Sequence, residues 1–340
     1  MVRHLSQRHS IAYYKHGCHR FDIDREGKDS WTVAQAGAST VMISDPEKKA
    51  LVTGHGRKSQ LLERQAFSDH DLLIVEGLKE LPLPKLLLVD RERRILDLIS
   101  NGSVTNVAAL VVPDDPCSYP SFGIPLFQRD NIGVIAGFIE TLLLDRSSKE
   151  NPLHGLVLAG GRSSRMGSDK ALITYHGSNQ LVHTSELLQQ QCHEVFISCR
   201  EDQAAKYREF GFPLIIDSYL GIGPLGGLLS AQRNIPSAAW VIAACDLPFL
   251  DEAIIQQLCT QRDPLRFATA FRHPESGCIE PLCTCYEPKS RTRLMLRHLE
   301  GKNSLSAFLN ESRIKELALK DSKALQNIND PDEKQKGYCS

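Results

Sequence analysis

The sequence predicts an α/β protein built from two three-layer α/β/α domains. Short runs of aliphatic and β-branched residues alternate with longer segments of helical pattern, which is typical of α/β units around a largely parallel sheet in each half. The chain has 340 residues, more than a single hydrophobic core usually serves, so we expect two domains. The predicted strands are SIAYYKH, TVMIS, LLIVEG, LLLVD, VAALVV, GLVLAGG, EVFISC, PLIID and WVIAACD.

The boundary between the two domains is predicted between residues 148 and 149. The helix-like run GVIAGFIETLLL gives way to the polar stretch LDRSSKENPLHG at residues 144–155, and Pro152 precedes a new strand. We therefore expect one domain at residues 1–148 and a second at residues 149–340.

Composition excludes several classes of protein. With 40 lysines and arginines against 41 aspartates and glutamates, the chain carries no overall charge that would attract nucleic acid or an anionic membrane surface. No apolar run approaches the ~20 residues that span a bilayer. The first ten residues, MVRHLSQRHS, lack the apolar region of a signal peptide. We expect a cytoplasmic protein that binds neither nucleic acid nor membrane.

The ten cysteines are scattered through apolar segments. Disulfide frameworks belong to small secreted domains, so we expect reduced thiols. Cys283 and Cys285 form the one close pair. Alternate residues of a strand face the same side, so this pair allows a metal chelate, but no second pair at zinc spacing accompanies it. Packing in the core is the favoured interpretation.

The stretch LVLAGGRSSRMGSDKAL, residues 156–172, predicts a phosphate-binding loop after a strand. Small residues let the main chain approach a bulky anion, and successive N–H groups can point into one concavity. The Walker pattern GxxxxGK[ST] does not fit. Five residues instead of four separate Gly161 from Gly167, and the residue directly after Gly167 is a serine instead of a lysine. Arg165 and Lys170 can neutralise a triphosphate and the leaving pyrophosphate, which favours nucleotidyl transfer over a solvated basic turn.

A second glycine-rich loop comes after the strand PLIID. Gly221, Gly223 and Gly226 spell the GxGxxG fingerprint of dinucleotide-binding enzymes. The glycines do not follow the strand directly, and Pro224 removes a backbone donor, so hydride transfer is the weaker alternative. We interpret the glycines as a second loop of close approach, with Asp217 as an acceptor at the mouth of the site.

Asp246 ends the buried run WVIAACD and is followed by Leu247 and Pro248. Open α/β sheets bind ligands at the C-terminal ends of their strands. A carboxylate there suits Mg²⁺, which takes one or two carboxylates together with substrate phosphates. The alternatives are a helix N-cap and a salt-bridged aspartate.

The motif LAGGRSSRMGSDKAL resembles the signature LAGGxSxRMGxDK of the molybdenum cofactor guanylyltransferases, which are MobA-like nucleotidyltransferases. The similarity continues through IIDSYLGIGPLGGL and AACDLPF to NINDPDE, and it covers residues 153–333. The resemblance implies a Rossmann-like fold and the transfer of GMP from GTP to the terminal phosphate of molybdopterin carrying molybdenum, with release of pyrophosphate. GTP and molybdopterin are the implied substrates, and molybdoenzyme apoproteins are the implied protein partners.

The same resemblance assigns the site residues. Contacts to the nucleotide fall on Leu158, Ala159, Gly160, Gly161, Lys170, Ser198, Asp217, Gly226, Asp246 and Asn329. Ser198 stands where the family often has asparagine, and Asp330 where it has threonine. Asp246 is expected to hold Mg²⁺. We expect no protein nucleophile: the acceptor phosphate attacks the α-phosphorus in line, and the catalytic residues Arg165, Lys170 and Asp246 stabilise charge.

The first half resembles a different family. KHGCHRFDIDREGKDSWTVAQAGAS at residues 15–39, with LLIVEG further on, resembles the molybdopterin-guanine dinucleotide adaptor proteins, the MobB family, over residues 11–143. The resemblance implies a P-loop-NTPase-like fold. Members begin with a strand, a GxxxxGKT loop and a helix, and this chain contains none of the three ahead of the matched segment. We expect GTP affinity in this half to be largely lost, which leaves a module that handles a partner or the cofactor, or a relic.

Metal donors crowd into the segment KHGCHRFDID. His16, Cys18, His19 and Asp22 are competent ligands, but hydrogen bonding within a polar loop is the favoured alternative. Glu76, at the end of LLIVEG, is predicted to be a structural acceptor, because no phosphate loop accompanies it.

Two other functions stay open. Relatives that use CTP or ATP to load molybdopterin or a sugar phosphate share the opening motif, and IEPLCTCYEP departs from the shorter histidine-proline element of the molybdopterin enzymes. The other is a non-catalytic scaffold that carries cofactor precursor. Arg165, Lys170 and Asp246 argue against it, because a scaffold has no physical need for all three.

Overall fold

The computed structural model describes residues 1–17, 25–53, 57–160, 179–319 and 322–326. The chain divides into two compact units, Met1–Thr141 and Leu142–Ser340. The α/β class predicted from the sequence is confirmed, and most strand pairs are parallel. Within the ranges given, no helix has the length and apolar character needed to cross a membrane.

The first unit contains short strands and helices. In chain order they are α1 Val2–Leu5, β1 Ile11–Lys15, α2 Asp29–Gln35, β2 Thr40–Ser44, β3 Lys49–Thr53, α3 Arg57–Ser68, β4 Leu72–Glu76, β5 Lys85–Leu88, α4 Arg94–Ser100, β6 Val107–Val112 and β7 Leu126–Gln128, with a 3₁₀ turn at Pro116–Ser118.

The described strands of this unit form three small sheets rather than the single parallel sheet expected. β1 pairs with β4 in parallel, and β5, β6 and β7 form a second parallel sheet. β2 instead forms an antiparallel hairpin with β3. The Asp45 carboxylate accepts hydrogen bonds from the backbone N–H groups of Glu47 and Lys48 at 2.7 and 2.6 Å. This local turn reverses the chain, and the run TVMIS alone does not reveal it.

Helix α5, Ile132–Glu150, continues through the polar stretch that the sequence suggested as a break. Its residues LDRSSKE are compatible with a helix, and Arg146 Nε lies 2.7 Å from Glu150 Oε1 one turn away. Pro152 then prevents further continuation. The division between the compact units falls inside this helix, at Thr141 and Leu142, and the domain boundary at residues 148 and 149 stays a prediction.

The second unit is organised around a large sheet. Its elements are β8 Leu153–Leu158, α6 Gln180–Gln189, β9 Glu194–Cys199, α7 Glu201–Tyr207, β10 Leu214–Ile216, α8 Pro224–Asn234, β11 Ala239–Ala244, α9 Glu252–Thr260, β12 Ala268–Arg272, β13 Ile279–Tyr286, α10 Ser290–Leu299, α11 Leu305–Glu311 and β14 Lys315–Ala318, with 3₁₀ turns at Arg208–Phe210 and Ser322–Leu325.

The described strands of this sheet follow the order β10-β9-β8-β11-β13-β12-β14. β8, β9, β10 and β11 are parallel, and β13 is antiparallel to both of its neighbours. The chain leaves β8 toward β9 on one side and later returns to β11 on the other side. The order of the strands therefore reverses between β8 and β11, which is the switch point where open α/β sheets bind ligands.

Side chains of alternating residues in β11 build two cores, one on each face of the sheet. Val241 and Ala243 pack with Leu188 of α6, whereas Trp240 and Ile242 pack with residues of α8 and α11. This three-layer arrangement matches the one predicted for this half. Cys283 and Cys285 of β13 lie in the first of these cores.

The eight cysteines in the described ranges are free thiols. Burial raises the pKa of both Cys283 and Cys285 well above the ordinary value. The favoured interpretation of this pair, core packing of reduced thiols, agrees with the structure.

Candidate active site

The C-terminal ends of four parallel strands lie along one edge of the second unit's sheet. Leu158 is the last residue of β8, and Ala159 and Gly160 follow it. Asp217 directly follows β10, and Asp246 lies two residues beyond β11. The structure therefore brings these predicted site residues to the same edge.

Gly160 lies against the carboxylate of Asp217. A Cβ atom added to Gly160 would lie 2.6 Å from Asp217 Oδ2, closer than real Cβ atoms approach an oxygen. The Ala159 N–H donates to the Ser198 carbonyl oxygen at 3.0 Å and fixes the loop just before the glycine. The absence of a side chain at residue 160 is thus what lets the main chain pass so close to Asp217.

Ser198 holds Asp217 in place. Its hydroxyl donates to Asp217 Oδ1 at 2.6 Å, and the Asp217 N–H donates to the Cys199 carbonyl oxygen at 2.9 Å. Burial raises the pKa of Asp217, while the Ser198 hydrogen bond and the positive charge of Arg200 oppose the rise. Ser198 contacts a predicted site residue, and its own contact with the nucleotide stays a prediction.

Residues 158–160, at the end of β8 and directly after it, form what we call the β8 loop. Three side chains that the sequence did not single out hold its carbonyl groups. Arg200 Nη1 donates to the Gly160 carbonyl oxygen at 2.9 Å. The Ala159 carbonyl oxygen accepts from Gln203 Nε2 at 3.3 Å and from the Tyr207 hydroxyl at 3.5 Å. All three donors come from α7 or the residue before it. The available signal was the sequence RxxQ directly after a strand, which has the spacing of a capping box, and Gln203 does accept from the Arg200 N–H at 3.2 Å.

The second glycine loop brings α8 close to β8 and β9. A Cβ on Gly227 would lie 2.4 Å from Ser198 Oγ and 2.8 Å from Leu158 Cδ2, and one on Gly226 would lie 2.2 Å from the Tyr219 carbonyl oxygen. Gly226 therefore allows close packing within the chain, and its predicted contact with a nucleotide stays a prediction. No sequence pattern pointed to Gly227.

Asp246 lies half-buried in the loop between β11 and α9. The N-cap of α9 is Asp251, whose Oδ1 accepts from the Ile254 N–H at 2.9 Å. This excludes the N-cap alternative for Asp246. The fully buried Gln180 at the start of α6 donates from Nε2 to the Leu247 carbonyl oxygen at 3.1 Å and supports the loop next to Asp246.

A divalent ion fits this donor set. Within the ranges that the structure describes, no group of three or more His, Cys, Asp or Glu side chains could hold a metal by itself. Mg²⁺ differs from zinc in this respect, because it needs only one or two protein carboxylates when phosphates and water complete its shell. The single carboxylate of Asp246 therefore suits an ion that is shared with a nucleotide.

Several predicted residues lie outside the described ranges. Four of them are predicted site residues of the second half: Gly161, Arg165, Lys170 and Asn329. Three more are possible metal ligands of the segment KHGCHRFDID: Cys18, His19 and Asp22. Their roles stay predictions.

Glu76 of the first unit makes contacts within its own sheet. Its carboxylate accepts a hydrogen bond from the Tyr13 hydroxyl and pairs with Lys15, whose Nζ lies 2.9 Å from Oε1. Both partners belong to β1, the neighbouring strand. This agrees with the structural role predicted for Glu76.

Two protein families match different parts of the chain. Residues 155–317 match the MobA-like NTP transferase domain, and residues 1–112 match the molybdopterin guanine dinucleotide synthesis protein B family. A molybdenum cofactor guanylyltransferase from Cupriavidus metallidurans is 32% identical over 186 residues, which cover 53% of this chain and 91% of that protein. The chain belongs to the molybdenum cofactor guanylyltransferase family.

Two further proteins are similar to parts of this chain. The molybdenum cofactor biosynthesis bifunctional protein of Synechocystis is 37% identical over 139 residues, or 41% of this chain. The match spans only 40% of that protein's length. The crystal structure of molybdopterin-guanine dinucleotide biosynthesis protein A from Archaeoglobus fulgidus is 22% identical, with a TM-score of 0.47, and the alignment covers 54% of this chain and 95% of that one.

These matches confirm the fusion of a MobB-like and a MobA-like part. They also confirm the predicted enzyme class, a nucleotidyltransferase, and a role in molybdenum cofactor biosynthesis.

Proposed function

We propose that this protein transfers GMP from GTP to the terminal phosphate of molybdopterin carrying molybdenum, giving the guanine dinucleotide form of the cofactor and pyrophosphate. The observation that supports this most strongly is the position of Leu158–Gly160 and Asp246 on the two sides of the switch point between β8 and β11. A nucleotide in this crevice would contact the β8 loop and reach the carboxylate beyond β11.

The groups on the two sides of the switch point between β8 and β11 would have different roles. The main chain at Leu158–Gly160, with Asp217, would hold the nucleotide, and Arg165 and Lys170 would neutralise its phosphates. An oxygen of the acceptor phosphate attacks the α-phosphorus in line and forms a new P–O bond. The bond from the α-phosphorus to the bridging oxygen breaks, and pyrophosphate leaves with its electron pair. Positioning and charge stabilisation supply the catalysis, so no side chain needs to become covalently bound.

Asp246 is the proposed ligand of Mg²⁺. When bound there, the ion would neutralise negative charge on the phosphates during transfer. Asp246 itself would fix the ion relative to the β8 loop, because β11 pairs directly with β8 through residues 244 and 158.

The first half is proposed to be a separate domain, residues 1–148, that handles the cofactor or a molybdoenzyme apoprotein. Support comes from the match of residues 1–112 to the molybdopterin guanine dinucleotide synthesis protein B family.

The test is a transfer assay with the purified full chain, Mg²⁺, molybdenum-loaded molybdopterin and GTP, CTP or ATP labelled at the α-phosphate. We expect the label to enter a dinucleotide from GTP only. Asp246→Asn should lower the rate by about 100-fold, the scale on which the loss of one electrostatic group is felt. Asp97→Asn, at an exposed position of α4, serves as a matched control. Labelling from CTP alone would exclude guanylyl transfer, and a fully active Asp246→Asn would exclude the metal site.

A further inference from the structure

The carbonyl groups of the β8 loop face α7. The Ala159 carbonyl oxygen accepts hydrogen bonds from Gln203 and Tyr207, and the Gly160 carbonyl oxygen accepts from Arg200. Gln203 Nε2 and the Tyr207 hydroxyl are themselves 3.1 Å apart, so the donors form one connected group. These carbonyl oxygens carry partial negative charge, and their orientation decides how the loop can receive an anion.

The orientation of a carbonyl also fixes the orientation of the next N–H. A trans peptide unit is planar, and its C=O and N–H point in opposite directions. The Ala159 carbonyl and the Gly160 N–H belong to the same unit. Because this carbonyl faces α7, the Gly160 N–H points away from α7. The loop therefore offers a backbone donor on the side opposite to its carbonyl oxygens, which suits an anionic ligand.

The Arg200 guanidinium group is also held by Asp202. Its Nε and Nη2 bind the two carboxylate oxygens of Asp202 at 2.9 and 3.0 Å, a two-point contact that fixes the plane of the guanidinium group. Nη1 is thereby aimed at the Gly160 carbonyl oxygen. The Arg200 side chain is 29% exposed, so it lies at the surface of the loop rather than in the core.

We infer that Arg200 is a positioning residue for the nucleotide: Gln203 and Tyr207 hold the peptide unit before Gly160, Arg200 holds the Gly160 carbonyl oxygen after it, and together they keep the Gly160 N–H in the orientation that binds phosphate. This inference rests on the proposed function, because it assumes that the nucleotide binds at this loop. It assigns the effect of Arg200 to the main chain of Gly160 and not to a direct contact between its guanidinium group and the substrate.

The test compares Arg200→Ala, Arg200→Lys and Lys206→Ala in the full chain. Lys206 is exposed on the same helix and controls for the loss of one positive charge. We expect Arg200→Ala to weaken the binding of GTP, measured by calorimetry with Mg²⁺, by about 10-fold, the scale of one hydrogen bond to a charged group. Arg200→Lys should recover part of the affinity, because it keeps a charged donor, and Lys206→Ala should stay within about twofold of wild type.

Hydrogen exchange of the free protein measures how firmly the backbone of the β8 loop is held when no nucleotide is bound. The Ala159 N–H, which donates to Ser198, should exchange faster in Arg200→Ala than in wild type and Lys206→Ala. An Arg200→Ala protein with wild-type affinity and wild-type exchange would overturn the inference and leave the proposed function intact. Equal losses in Arg200→Ala and Lys206→Ala, or no recovery in Arg200→Lys, would overturn it as well.

Binding measurements with GTP, CTP and ATP distinguish a failure of this inference from a failure of the proposed function. If wild type binds CTP in place of GTP and Arg200→Ala weakens that binding, guanylyl transfer fails and the role of Arg200 stands. If wild type binds none of GTP, CTP and ATP, both fail.

Discussion

At the scale of single residues, the site depends on how closely Gly160 and Asp217 approach each other. The sequence predicted that both residues line the site, from the small residues after one strand and the aspartate after another. It did not predict that they touch, because 57 positions in the sequence separate them and only the pairing of β8, β9 and β10 brings them together. Ser198 and Gly227 also approach each other closely, and the sequence did not point to Gly227.

Gly160→Ala tests this approach. The new Cβ would lie 2.6 Å from Asp217 Oδ2, so either the loop or the carboxylate must move, and overpacking of this kind costs about 1–3 kcal/mol. We expect GTP binding to weaken by about 10-fold or more, measured by calorimetry, and the free energy of unfolding to fall. Gly137→Ala is the matched control: its Cβ meets nothing within 4 Å in α5, and alanine there should be neutral or stabilising. Unchanged binding in Gly160→Ala would show that the loop tolerates a side chain.

His154 gives the second unit a dependence of stability on pH. Its ring is buried among His193, Phe196 and Trp240, with ring centroids 5.5, 5.7 and 5.5 Å away. Burial, followed by the charge of His193, lowers the pKa of His154 below the ordinary value of 6.5. The unfolded chain therefore takes up a proton at a higher pH than the folded protein does. The contribution of His154 is fully present above the unfolded pKa and is lost as the pH falls below it.

We expect the free energy of unfolding in urea to fall as the pH is lowered from 7.5 to 5. The fall should be smaller in His154→Phe, which cannot take up a proton. His16→Phe, at an exposed position after β1, is the control. Equal pH slopes in wild type and His154→Phe would contradict the assignment.

At the scale of elements, a buried ion pair connects the end of α9, the end of β13 and the start of β8. Arg262 Nε and Nη2 lie 2.6 and 2.7 Å from the two carboxylate oxygens of Glu287, and both side chains are nearly inaccessible to water. Nη1 also donates to the Asn151 carbonyl oxygen at 3.1 Å. Sequence patterns did not reveal this pair, because periodicity predicts a strand without saying which strand or helix will lie beside it.

Breaking this pair should destabilise the second unit strongly. Arg262→Met leaves the Glu287 charge buried without its partner, which typically costs about 3–5 kcal/mol. The double variant Arg262→Met with Glu287→Gln should be less destabilised than the sum of the two single variants, because it buries no uncompensated charge. Chemical unfolding of the four proteins measures the coupling. Additive effects would mean that the ion pair contributes nothing beyond its two separate side chains.

At the scale of the whole molecule, the α/β class and the strands around the site could be predicted from sequence. The runs GLVLAGG, EVFISC, PLIID and WVIAACD correspond to β8 to β11. Other strands were missed for different reasons. β7 has only three residues, and β3 lacks a strong pattern. The antiparallel direction of β13 depends on contacts that the alternation of its side chains does not encode. The continuation of α5 was missed because polar residues occur equally in helix ends and in linkers.

One nucleotide should bind per chain. The proposed site lies at the loop after β8 in the MobA-like part. Calorimetry with GTP and Mg²⁺ should give a stoichiometry of about one, and Lys170→Ala should abolish most of that binding and lower the transfer rate by about 100-fold. Lys302→Ala, in an exposed ion pair with Glu300, is the control. A second GTP that persists in Lys170→Ala would place nucleotide binding in the first half.

The reversal of strand order between β8 and β11 has an evolutionary consequence. The loops after β8, β9 and β10 stand on one flank of the crevice, and the residues after β11 and at the start of β13 stand on the other. If, as proposed, GTP is held by the first flank and the acceptor phosphate approaches from the second, substitutions at the start of β13 would change the choice of acceptor while the loop that holds GTP stays the same.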